Sequence, residues 1–261
     1  MCTYPWAFAD ELAIWDELDV RRVGVSTAKL DAYGRERAVA ALQERSIGVT
    51  TITTGNFDLS TPASWPVTRD RVMDAIDLAT VIGGCVYTTP GRRDGRSFDE
   101  LTASLSEAIA PCARYGKERG IRLAIEPSLR TDVSFAHRLA DGLDVAIQAN
   151  IDVIADLGNC WMERDYEDTV RRAGPRIAMV QFADAVFGSP GMPPPGGRAV
   201  PGDGDLPIVR FIQAALKSGY TGPFELEMVG PLIESEGHGP ALRRGVERAN
   251  RVLEEALESQ S

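Results

Sequence analysis

With 261 residues and a formal net charge of -10, the chain is long enough for one α/β barrel or two small domains and has the wrong sign for a nucleic-acid backbone. Its apolar and charged fractions are those of an ordinary globular chain. No apolar run approaches the roughly 18 residues that cross a bilayer. No signal-type apolar segment follows Met1 to Trp6, so a cytoplasmic protein with no membrane partner is expected.

A short strand is expected at Met1 to Tyr4, and a helix at Trp6 to Leu18, where Phe8, Leu12, Trp15 and Leu18 recur at helical spacing. Arg22 to Ser26 reads as a strand and Leu30 to Gln43 as a helix. Val49 to Thr54, rich in β-branched residues, is a strand ending at Gly55-Asn56. After the Phe57 to Pro66 loop come an amphipathic helix from Arg69 to Ile82 and a strand from Gly84 to Thr89. Ser97, with Glu100 three residues on, predicts a capping box for a helix from Phe98 to Arg119. A strand follows Gly120 and ends at Glu126. Ser134 is expected to open a helix to Gln148. A strand from Ile151 to Asp156, a helix over Tyr166 to Arg172 and a strand from Ile177 to Gln181 come next. Gly188 to Asp205 is a long loop with a Pro-Pro-Pro-Gly-Gly core. Leu206 to Lys217 is a helix, Pro223 to Glu227 a strand, and Pro240 to Leu257 the closing helix, with a loop between the last two. Strand and helix alternate about eight times at a period of roughly 30 residues, the size of a βα unit. One (β/α)8 TIM barrel spanning residues 1–261 fits best. A doubly wound open sheet is disfavoured, because no Gly-rich phosphate fingerprint follows the first strands. The four cysteines Cys2, Cys85, Cys112 and Cys160 have no CxxC spacing and are expected to be reduced core thiols.

Four of the predicted strands end in an oxygen-bearing side chain: Glu126, Asp156, Gln181 and Glu227. Each could be an ordinary strand-end residue facing water. In a barrel, however, all four lie at the face where chemistry is done. Three carboxylates brought together repel one another unless a cation joins them. An all-oxygen set suits Mn2+ or Mg2+ better than Zn2+ or copper. His238, after the last strand, is the one histidine placed for acid–base work, whereas His137 lies on a predicted helix. Trp161 and Phe57 could wall a pocket or belong to the core. Arg130, four residues after Glu126, could reach substrate or form a surface ion pair. Asp184 could support a ligand from behind.

The segments Ile125-Glu126-Pro127, Asp156-Leu157-Gly158-Asn159, Val180-Gln181-Phe182-Ala183-Asp184 and Gly219 to Glu227 resemble the sugar isomerase/epimerase family with the xylose-isomerase-like TIM barrel. The resemblance covers almost the whole chain. It implies one divalent metal bound by Glu126, Asp156, Gln181 and Glu227, with the two glutamates as acid and base. It also implies a substrate contact from Arg198, in Gly196 to Gly204, while Asn159 could hydrogen-bond a substrate hydroxyl. This sequence departs from the family in having Gln181 and Asn159 where relatives carry histidine. Relatives of the 3-dehydroshikimate dehydratase type likewise use Gln as a ligand.

The implied activity is proton transfer next to a carbonyl of a sugar-like keto-polyol, through an enediolate. The alternatives are a lyase of the same fold (a dehydratase or a C-glycoside deglycosylating subunit) and a non-catalytic binding barrel. Endonuclease IV shares the fold, but its site needs several histidines and a basic face, and this chain has neither. A homo-oligomer or a partner subunit is compatible with the resemblance.

Overall fold

The computed structural model describes residues 2–188 and 197–258. Most of the Pro-rich core expected in the 188–205 loop lies outside the described residues. Seven strands form one parallel sheet: β1 (Arg22–Ser26), β2 (Gly48–Asn56), β3 (Cys85–Thr89), β4 (Leu123–Ile125), β5 (Asp152–Asp156), β6 (Ile177–Phe182) and, last in the chain, β9 (Phe224–Leu226). Their order in the sheet is their order in the sequence, and the sheet curls into a nearly closed barrel. A separate antiparallel pair, β7 (Asp184–Ala185) with β8 (Arg198–Ala199), stands in the loop after β6.

The helices are α1 (Phe8–Glu17), α2 (Thr27–Tyr33), α3 (Arg35–Glu44), α4 (Trp65–Ile82), α5 (Phe98–Glu118) and α6 (Leu139–Ala149). They continue with α7 (Leu157–Cys160), α8 (Tyr166–Ala173), α9 (Ile208–Lys217), α10 (Pro231–Glu236) and α11 (His238–Glu258). Two apolar regions hold the barrel together. The larger packs the outer strand faces (Val23, Val25, Ile52, Val153, Val180) against helix residues such as Leu30, Ile76, Leu105, Val145 and Phe211. The smaller is built from Cys85, Tyr87, Ala124, Ile154 and Met179 and fills the interior. Strands buried on both faces read as continuous apolar runs, and β6 is buried at every residue.

Several expectations are corrected. Residues 2–5 form turns and no strand, so among the described residues the sheet has seven strands, and β1 and β9, the ends of its order, are not paired. The helix expected over Leu30–Gln43 begins at Thr27 and is broken at Gly34, whose φ of 95° belongs to the region glycine tolerates. Ser134 opens no helix. Its hydroxyl donates to the Ala136 carbonyl at 2.5 Å and accepts from the Ala136 amide, tying the loop after β4. The next helix starts at Leu139, where the Glu163 carboxylate accepts the Leu139 and Ala140 amides. That cap comes from a distant residue, beyond the reach of local patterning. The capping box at Ser97 forms as expected, with the Glu100 amide donating to Ser97 Oγ at 3.2 Å and the Ser97 amide to the Glu100 carboxylate at 2.7 Å. A short helix, α10, occupies the loop expected after β9. All four cysteines are free and buried.

Candidate metal and active site

The strand ends expected to converge do so. Glu126 follows Ile125 at the end of β4, and its amide still donates to the Thr88 carbonyl at 3.0 Å. Asp156 closes β5. Glu227 follows β9, its amide donating to the Phe182 carbonyl at 2.9 Å. Each of the three offers a carboxylate oxygen within 4.8 Å of the others, and all three residues are buried. This acidic triad could bind a metal ion.

Gln181 stands beside Asp156 in the β5–β6 register, so both side chains point to the same interior face. It is 1% exposed. Its Nε2 donates to Glu225 at 2.9 Å, while its Oε1 is buried and meets no hydrogen-bond donor. Glu227 Oε2 is likewise buried without a hydrogen bond, and meets Arg198 only as an ion pair at 3.3 Å. Orphaned buried oxygens are uncommon in folded proteins. One of them belongs to the three-carboxylate cluster and the other, from Gln181, adds a neutral oxygen beside Asp156, so the all-oxygen donor set fits a divalent ion.

Two side chains knit the carboxylates together. The turn α7 lifts Asn159 beneath them, where its Nδ2 donates to Asp156 at 2.7 Å and to Glu126 at 3.1 Å; its Oδ1 accepts from the Leu129 amide. Arg198, 3% exposed, returns to the site because β8 pairs with β7. Its guanidinium donates to Asp156 at 2.5 Å and to the Glu227 carbonyl at 2.9 Å. One guanidinium against three carboxylates leaves two negative charges if all three are ionised. Burial raises the Glu126 carboxyl well above its ordinary range, and the charges of Glu227 and Asp156 raise it further. Burial likewise lifts Asp156 to about 6; Arg198 opposes the rise and Glu227 adds to it. Burial works against the charge on Arg198, but Asp156, Glu227 and Glu126 outweigh it and keep the guanidinium protonated.

The remaining candidates have partners other than the triad. Arg130 is exposed and paired with Asp132 at 2.5 Å. His238 opens α11, donates from Nδ1 to the Cys2 carbonyl at 2.9 Å, and lies edge-on to Tyr4 and Trp6. Trp161 stacks on Phe187 with ring centroids 4.6 Å apart. Phe57 is fully buried in the core, and His137 holds the Ser128 carbonyl at 2.9 Å. Asp184 accepts the amides of Ala185, Gly202 and Leu206, which pins both ends of the loop that carries Arg198. Sequence reasoning missed two interior residues. Tyr87 lies under Glu126, Glu227 and Glu225, and burial together with those charges keeps its phenol protonated. Glu225 spans the interior to Thr50 and Thr51. Its spacing of two from Glu227 was the available signal, because i and i+2 of a strand share a face.

The sequence profile described as xylose isomerase-like TIM barrel matches residues 10–255. The chain belongs to the xylose isomerase-like TIM barrel family. Solved structures of similar shape include protein SMc04130 from Sinorhizobium meliloti, with 20% identity, a TM-score of 0.84, and 95% of this chain and 94% of that one covered. The IOLI protein with a bound zinc atom has 13% identity and a TM-score of 0.83 over 95% and 93% of the two chains. D-psicose 3-epimerase from Clostridium cellulolyticum, solved with D-tagatose, has 16% identity and a TM-score of 0.76 over 95% and 94%. At these identities the likeness is one of fold. No curated protein matches the sequence.

Proposed function

We propose that this family member is a divalent-metal-dependent isomerase or epimerase acting on a sugar-like keto-polyol. The observation that carries the reading is the buried Glu126–Asp156–Glu227 triad, in which Glu227 Oε2 has no hydrogen bond, with the orphaned oxygen of Gln181 beside it. Epimerases among the solved structures of the same fold support it.

Glu126, Asp156, Gln181 and Glu227 would hold the ion, with Mn2+ or Mg2+ favoured by an all-oxygen set. When bound, the ion supplies Lewis-acid polarisation of a carbonyl and offsets negative charge that develops on its oxygen. One of the two glutamates takes the proton from the carbon next to the carbonyl. The other returns a proton to the opposite face of that carbon, giving an epimer, or to the neighbouring carbon, giving an isomer. Arg198 holds Asp156 and the Glu227 backbone in place, and Asn159 fixes the separation of Asp156 and Glu126. Burial raises the Glu126 carboxyl above its ordinary range, which makes its carboxylate a stronger proton acceptor. A lyase of the same fold is the second reading. It is favoured by Gln181 and Asn159, two neutral amides that cannot relay a proton at neutral pH.

The test is a panel of keto-sugars and cyclic polyols with Mn2+ in D2O. Deuterium entering at the carbon beside the carbonyl, with no group lost, is expected, and Glu227→Gln should lower that exchange by about 10²–10⁴-fold. Product lacking water or an aglycone would move the reading to the lyase. A chain that binds neither Mn2+ nor Mg2+, and whose Glu227→Gln variant behaves like the parent, ends both readings.

A further inference from the structure

Glu225 has no part in the proton transfers just described, yet it is fixed from several directions in the barrel interior. The hydroxyls of Thr50 and Thr51 both donate to its Oε1, the latter at 2.7 Å, and the Gln181 amide donates to its Oε2 at 2.9 Å. Gly24 makes room for it, since a Cβ there would lie 2.8 Å from Glu225 Oε1 and 2.5 Å from Thr51 Oγ1. The register sets Glu225 beside Gln181, and Gln181 beside Asp156.

A carboxamide has two unlike ends, one that only accepts and one that only donates. Nothing in the Gln181 side chain itself says which end faces Asp156. A carboxylate can only accept, so Glu225 forces the NH2 end towards itself. The oxygen is then left facing away from Glu225, buried and without a donor. Turned the other way, Gln181 would set its NH2 among the carboxylates as a hydrogen-bond donor and offer no ligand.

We propose that Glu225 is a positioning residue that locks Gln181 with its carbonyl oxygen towards the Glu126–Asp156–Glu227 triad, and so makes a neutral glutamine the fourth ligand of a divalent cation. Rotation about χ3 of Gln181 is the motion it prevents. The proposal rests on the metal-site reading above, and the two fail in different ways in the test.

The test is a double-mutant cycle read by Mn2+ affinity in titration calorimetry, with the melting temperature of each metal-free variant recorded. Glu225→Gln keeps the shape but replaces an obligate acceptor with a group that can turn either end, and should weaken Mn2+ binding about 10–100-fold. Gln181→Met removes the oxygen and should weaken it comparably. In the double variant, Glu225→Gln should add less than about 2-fold to the loss from Gln181→Met, because nothing is left to orient. Equal losses from Glu225→Gln with and without Gln181 overturn the proposal while leaving the metal site standing. So does a Gln181→Met variant that binds like the parent. No Mn2+ binding by the parent chain overturns the metal-site reading itself. Should Glu225→Gln fail to fold, Thr51→Val, which removes one hydroxyl holding Glu225, carries the same cycle with an expected loss of about 3-fold against none in the Gln181→Met background.

Discussion

At Glu126 and Asp156, burial and mutual repulsion act in one direction, towards the protonated acid. Their folded pKa values lie above the unfolded ones, so the metal-free chain binds more protons when folded. The associated stability is present in full at low pH and is lost as pH rises through about 6 for Asp156. A divalent cation bound by the triad would replace those protons and reverse the trend. Melting curves should show Mn2+ raising the melting temperature at pH 7.5, by about 2–4 °C per kcal/mol gained in a chain of this size, and raising it little at pH 4.5. An equal rise at both values would mean that the ion binds elsewhere. The carboxylates of this site were legible from the sequence, because each closes an apolar run. The roles of Asn159 and Arg198 towards those carboxylates were not, because both depend on which carboxylate lies within reach.

Among the elements, the β7–β8 pair matters most for the site. It has only four residues, yet it turns the long loop back so that Arg198 enters the carboxylate cluster. Asp184 holds it by accepting three backbone amides. Asp184→Ala leaves buried donors without acceptors and should destabilise the fold by about 2–4 kcal/mol in denaturant melts. If the triad binds Mn2+, the variant should also weaken that binding in titration calorimetry, because Asp184 holds the loop that carries Arg198. A variant as stable as the parent would mean that solvent replaces the carboxylate at no cost. The pattern gave no sign of this pair, because two-residue strands carry no period. The Ser97 capping box, by contrast, was readable, since both partners lie within one turn. The start of α6 was not, because its cap, Glu163, comes from beyond β5.

Across the whole molecule, the sheet has a seam. β1 and β9 are the ends of its order, and a cavity of about 470 Å3 lies between them, lined by Trp15, Val23, Val25, Leu226, Leu242 and Val246. The N-terminal turn spans part of it, with the Cys2 thiol against the Leu226 carbonyl and the Met228 amide. Each of these two strands pairs with a neighbour on one side only, whereas β4 and β5 pair on both. Native-state amide exchange should therefore open β1 and β9 first, at a lower free energy than β4 and β5. Uniform protection around all seven strands would contradict the seam. Among the described residues no helix is long and apolar enough to cross a membrane.

The sequence by itself determined the alternation of strand and helix, the parallel sheet with both faces buried, and the carboxylates at its strand ends. Hydrophobic period and strand length are local quantities, and they survive in the linear order of residues. Only the tertiary structure decided that the barrel would have seven strands, that Arg198 and Asn159 would bind the carboxylates together, and that Glu225 would reach Gln181. Each depends on distance across the barrel. There, residues as far apart as Thr51 and Glu225 share one hydrogen bond, and the low dielectric of the interior makes that bond's direction matter.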